Sequence, residues 1–168
     1  MTAPLSLEQT REAYARHRAV HEARDWANFP ALFAEHARYH DPFYGWIEGR
    51  EGIARFIETS MAGLEEWVFP IHWQVAEAGR VVIHWSNRLP GRRPDGSPHE
   101  FPGVSAIEYG ADGLVVQQRD LYDRFTAVRV IMAARSGAPG RVVGRAWDTL
   151  AGGALQLAHR VVARTESS

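Results

Sequence analysis

The chain has 168 residues, 45% of them apolar, a formal net charge of −1, no cysteine, and nineteen basic residues that are all arginine. That length and apolar share predict one domain with a sizeable core. Without cysteine there is no disulfide framework, thiolate nucleophile or cysteine-ligated zinc, and without lysine no Schiff-base chemistry and no Walker-type phosphate loop. Near-neutral charge argues against nucleic acid, and no leader-like start or run of eighteen apolar residues argues for export or a membrane. The expectation is a cytoplasmic protein whose partner is a small molecule.

Ser6 and Gln9 form a capping-box pattern, and Leu7, Tyr14 and Val20 carry a first helix to about Arg24. Asp25 is placed to cap a second helix with Trp26, Phe29, Leu32 and Phe33 on one apolar face. Ala37 to Asp41 reads as a strand ended by Pro42, with Ala37, Tyr39 and Asp41 on one side and Arg38 and His40 on the other. Gly49 and Gly52 bracket the start of a third helix, whose buried stripe is Ile53, Phe56, Ile57 and Met61.

Strands follow. Trp67, Phe69, Ile71, Trp73 and Val75 alternate as a half-buried strand, and Ala78-Gly79 turns the chain into Val81, Ile83, Trp85, Asn87 and Leu89. Pro90 to Pro98 reads as a long exposed loop. His99 to Tyr109 and Leu114 to Tyr122 make a further pair of strands around an Asp112-Gly113 turn. The order implies an α+β domain over residues 1–125, in which three N-terminal helices cover a curved, mostly antiparallel sheet. Residues 126–168 form a C-terminal helical extension packed on the same domain, with Val143, Trp147, Leu150, Leu157 and Val161 compatible with one helical face.

Three strings carry a resemblance: Asp25-Trp26 leading to Leu32-Phe33-Ala34-Glu35; Tyr39-His40-Asp41-Pro42 followed by Gly49-Arg50-Glu51-Gly52-Ile53; and Arg119-Asp120-Leu121-Tyr122-Asp123. In this order, over Leu7 to Phe125, the chain resembles the nuclear transport factor 2-like superfamily and, within it, SnoaL-like, ketosteroid-isomerase-like and limonene-epoxide-hydrolase-like enzymes. The resemblance implies a cone-shaped fold around a pocket and a homodimer built on the open sheet face. It aligns Asp41 with the isomerases' general base, Asp120 with the hydrolases' water-activating aspartate, and Tyr39 with the tyrosine that helps hold that water. SnoaL-like cyclases keep their acid/base aspartate near the position of Asp120. The chain also departs from these patterns: the hydrolases' arginine and acid fall at Trp85 and Asn87, the isomerases' oxyanion tyrosine near His17, and their protonated acid near Ser105.

Asp120 shares a strand face with Val116, Gln118 and Tyr122, so its carboxylate points inward, where desolvation raises its proton affinity toward that of a useful base. The alternative is a carboxylate paired with arginine; Asp41, before a proline, reads equally as a turn former. His17 and His21 share a helix face but are two ligands, not a metal site, so no metal or other cofactor is expected. His72 and His84 could face either way. Trp46, in a turn-rich loop, is a candidate for the pocket mouth.

The first expectation is a cofactor-independent cyclase, dehydratase or isomerase acting on a hydrophobic small molecule. Asp120 is then the base and Asp41 and His17 its auxiliaries, with Tyr39, Asn87, Trp85, Ser105, Tyr122 and Trp46 contacting substrate. Epoxide hydrolysis and non-catalytic ligand binding are the alternatives.

Overall fold

The structure, a computed structural model, describes residues 5–135. The helical face expected over Val143 to Val161 lies outside them. The first helix, α1, spans Leu7–Glu22 and opens on the expected capping box: the Gln9 amide donates to Ser6 Oγ at 3.2 Å, and the Ser6 amide to Gln9 Oε1 at 2.9 Å. Its inner face is Thr10, Ala13, Tyr14 and His17, all buried at helical spacing. Thr10 also pins the helix to the sheet. Its Oγ1 accepts the Gly79 amide at 2.8 Å and donates to the Ser6 carbonyl at 2.7 Å.

The middle of the three N-terminal helical segments is shorter than the sequence pattern implies. Asp25 accepts hydrogen bonds from Asn28 in a turn, and only Phe29–Leu32 is helical, as one 3-10 turn with a proline near its start. Phe33 already belongs to strand β1, Phe33–Asp41, and is fully buried. The apolar face is real, but a turn and a strand end deliver it. The stretch after Asp41, expected as a loop, pairs back as β2, Gly45–Glu48, antiparallel to β1. Helix α2, Gly49–Met61, then starts where Gly49 takes a φ of 74°, which favours glycine. Ile53 and Ile57 of α2 are buried against the core, each contributing roughly 1.5–3 kcal/mol of hydrophobic stabilisation.

The remaining strands are β3 (Ile71–Glu77), β4 (Arg80–Arg92), β5 (Pro98–Tyr109) and β6 (Val115–Leu121), in a six-stranded sheet of order β2-β1-β6-β5-β4-β3. Every pairing is antiparallel except β1 with β6, which brings the first strand beside the last. This is an α+β fold with a curved, unclosed sheet, as the sequence implies.

The alternation from Trp67 to Val75 does not form one strand. Proline stands at position 70, Val68 makes only an isolated bridge to Arg88, and β3 begins at Ile71. A register shift between Ile71 and Trp73 then turns the later residues over. Ile71 faces in, whereas Trp73 lies outside, 50% exposed and stacked on His84. His72 and His84 also sit on the outer face, His84 because it alternates with the inward Trp85, and His72 is bonded to Ser86 Oγ at 2.7 Å.

Helix α3, Arg124–Arg135, packs on β4 and β5. Its Ala127 and Val130 join Trp67, Leu89 and Phe101 in a small second core at one end of the sheet. The main core gathers α1, β1, α2 and the inner faces of β4 to β6.

Candidate active site

The inner face of the sheet and the helices above it enclose a cavity of about 450 Å³. The walls are aromatic: Trp26 and Phe29 from the turn after α1, Phe56 from α2, Trp67 and Phe69 before β3, and Phe101 from β5. That size and lining suit an apolar small molecule held by few polar groups. Although the chain carries nineteen arginines, none of the described lining residues is one.

Sheet register assembles the polar end. Asp120 on β6 lies directly across from Ser105 on β5, and Gln118, two residues earlier on the same face, lies across from Tyr39 on β1. All four side chains therefore converge. Ser105 Oγ donates to Asp120 Oδ1 at 2.6 Å, Gln118 Nε2 donates to the same oxygen at 3.1 Å, and the Tyr39 hydroxyl donates to Oδ2. Trp85 on β4 closes the chain, its indole N–H donating to Ser105 Oγ at 2.8 Å.

Burial raises the pKa of Asp120 above the ordinary value. The three donors oppose this by favouring the charged form, the negative charge of Asp41 adds to it, and desolvation prevails. Tyr39 is buried, and its hydroxyl is held well above the usual range by burial first and by Asp120 next, so it stays a donor.

Asp41 sits two residues beyond Tyr39 at the end of β1, on the same face. Its Oδ1 accepts the amides of Phe43 and Tyr44 at 2.7 and 3.2 Å, and its Oδ2 accepts the Tyr122 hydroxyl at 2.9 Å. The turn-forming reading of Asp41 is thus met through Oδ1, and the residue also lines the cavity.

His17 reaches the cavity from α1 and touches Phe29 edge-on, with ring centroids 5.1 Å apart. Burial, aided by neighbouring His21, lowers its pKa from 6.5 to about 3, so at neutral pH it is an uncharged imidazole. It can orient or accept, but it carries no imidazolium proton to donate.

Of the residues singled out from the sequence, Asp120, Asp41, His17, Tyr39, Trp85, Asn87, Ser105 and Tyr122 all line this cavity. Trp46 does not. It sits on β2 opposite His40, its ring on the outer face against that imidazole and beneath the Arg38 guanidinium, 4.3 Å away. Period-two geometry explains the difference: once Gly45–Glu48 is a strand paired with β1, Trp46 shares the face of His40 rather than that of Asp41. Gln118 was visible only as a same-face neighbour of Asp120, and its amide bond to that carboxylate follows from their i,i+2 spacing. Among the described residues, no three His, Asp or Glu side chains gather as a metal-binding group.

Comparison with known proteins agrees with this architecture. No curated protein matches the sequence. A ketosteroid isomerase candidate from Kribbella flavida superposes with a TM-score of 0.55 at 25% identity, covering 70% of this chain and 80% of that one. An epoxide hydrolase of M. tuberculosis, similar to the limonene-epoxide type, gives 0.60 at 15% identity, over 76% and 92%. A SnoaL-like polyketide cyclase candidate from Shewanella denitrificans gives 0.59 at 19%, over 74% and 97%. The last two likenesses establish the fold and no more. The SnoaL-like domain family matches residues 12–118, a span that contains most of α1, the buried tyrosine of β1 and most of the sheet, and the chain belongs to that family.

Proposed function

We propose that the protein is a cofactor-independent acid/base enzyme that moves a proton on a neutral, hydrophobic small molecule, in the manner of a cyclase, dehydratase or double-bond isomerase. One observation carries this reading: the Asp120 carboxylate is buried at the polar end of an aromatic cavity, held by neutral donors, with its proton affinity raised. A base so placed gains reactivity from the lack of water and needs no arginine to hold it. In this scheme Asp120 takes the proton and gives it back, while Asp41 and the neutral His17 orient the substrate. Asn87 and Tyr122 supply further polar contacts at the wall.

The test is hydrogen–deuterium exchange at carbon. Polycyclic and terpenoid ketones incubated with the protein in heavy water should gain deuterium next to the carbonyl, and Asp120→Asn should abolish the gain. Equal exchange by the variant would remove Asp120 from the role.

A second reading, epoxide hydrolysis, is favoured by one detail: Tyr39, Asp41 and Asp120 share a corner where a water could be held. Against it, the position of the hydrolases' arginine is taken by Trp85, whose N–H is engaged with Ser105, and that of their acid by Asn87. Product formed in isotope-labelled water separates the two, since only hydrolysis incorporates the label. Simple ligand binding, the third reading, predicts a carboxylate of ordinary acidity at Asp120.

The homodimer belongs to the same proposal. Trp73, His84, Val104 and Leu121 form one cross-strand row on the outer face, with Trp73 50% and Leu121 45% exposed, a surface that a second copy would cover.

A further inference from the structure

The Trp85 indole lies flat across β5 because position 103, its register partner, is a glycine. A Cβ there would stand 2.2 to 2.6 Å from three carbons of the ring. Tyr122 meets the same ring edge-on at 6.0 Å. Held in this way, the indole N–H reaches Ser105, two residues further along β5.

The donor inventory gives that contact a direction. An indole N–H can only donate, so it occupies a lone pair of Ser105 Oγ. The hydroxyl has one proton, and Asp120 Oδ1, 2.6 Å away, is the acceptor it meets. Were Asp120 protonated on Oδ1, Ser105 would have to accept from both sides and leave its own proton without a partner. The Trp85 bond therefore favours the ionised carboxylate, and because Oδ1 accepts from Ser105 and Gln118 but Oδ2 from Tyr39 alone, an incoming proton displaces fewer bonds at Oδ2.

We propose that Trp85, seated on Gly103, is a positioning residue that acts through Ser105 to set the basicity of Asp120 and the oxygen on which it takes up a proton.

The titratable groups facing Asp120 are few. Tyr39 and Asp41 come from β1, Tyr44 from the turn before β2 and Tyr122 from just after β6; α1 brings Tyr14, the neutral His17 and His21 to the same cavity, and the α2 residues that line it carry no charge. Asp41 is the one charged neighbour among the described lining residues that bears on Asp120, so a change made at Trp85 is not masked by a nearby cation.

The consequence for turnover rests on the proposed role of Asp120 as base; the effect on its acidity does not. The experiment follows the carboxyl carbon of Asp120 by NMR in protein labelled with 13C-aspartate, the signal being assigned by its loss in Asp120→Asn. Trp85→Phe, which keeps an aromatic ring and removes the N–H, should move the Asp120 midpoint upward, as should Ser105→Ala. The double variant should move it no further than Ser105→Ala alone, because the tryptophan acts through the serine. In the unmutated protein, the indole N–H signal of Trp85 should itself shift with the Asp120 midpoint, a readout that needs no variant to fold. An unmoved midpoint in a folded Trp85→Phe, additive shifts in the double variant, or an indole signal indifferent to that titration would each overturn the proposal. If the midpoint moves and the pH profile of carbon exchange does not, the positioning stands and the role of Asp120 as base fails.

Discussion

Tyr39 donates its hydroxyl to Asp120 across the parallel pairing of β1 and β6, and Tyr122, the residue just after β6, donates in return to Asp41 at the end of β1. The crossed arrangement ties the two carboxylates to the same piece of sheet.

Tyr39→Phe removes one of three donors from a buried carboxylate. The Asp120 midpoint should rise further, and the acid limb of any Asp120-dependent pH profile should move to higher pH with it. The lost bond should cost roughly 0.5–3 kcal/mol of stability, read from urea unfolding. A profile unchanged in Tyr39→Phe would contradict the assignment.

His17 and Asp120 have opposite effects on stability as the pH changes. The folded state lowers the pKa of His17 from 6.5 to about 3, so between these values the unfolded chain binds the proton more readily. Stability from this group is fully present above pH 6.5 and is lost as pH falls toward 3, with a slope up to about 1.4 kcal/mol per pH unit. His21, also lowered by burial, acts in the same direction. Asp120 is raised in the folded state, so its burial costs stability above its folded midpoint, and that cost is relieved as pH falls through it. Comparing urea midpoints at about pH 7 and 5, the parent should weaken on acidification more than His17→Gln does.

Gly103→Ala should destabilise the fold by roughly 1–3 kcal/mol, since the new methyl meets an aromatic ring rather than a flexible chain end. Intrinsic tryptophan fluorescence should change as Trp85 is displaced. Full retention of stability would mean that the indole has room to move.

Thr10→Val tests a bond remote from the carboxylates. The substitution leaves the buried Gly79 amide without an acceptor, at a cost of roughly 1–3 kcal/mol, and amide exchange at Gly79 should accelerate. The Asp120 titration should stay where it is.

The fold was legible where the signal was local. The Ser6–Gln9 box, the stripe of α2 and the turn at Asp112-Gly113 each specify their element within a few residues. Two readings failed because a distant partner decides the outcome: Phe33 joins β1 by pairing with Val115, and Trp73 is turned outward by a register shift in its pairing with β4. The pocket divides along the same line. Alternation along β1 and β6 is enough to place Asp41 and Asp120 on inward faces. That Ser105 stands opposite Asp120, and that Trp85 reaches Ser105 over a glycine, depends on cross-strand register, which a single sequence does not reveal.

The lone parallel pairing in the sheet also bears on how the molecule is made. As the chain leaves the ribosome, β1 emerges with β2 and α2 close behind, but its other neighbour, β6, is the last of the described strands to be synthesised. Until about residue 122 has emerged, neither acid has its phenol and the early strand has one free edge. A nascent or truncated chain therefore lacks both acid–phenol pairs: the polar end of the cavity is assembled in one late event, after a period in which that edge needs shelter from other chains.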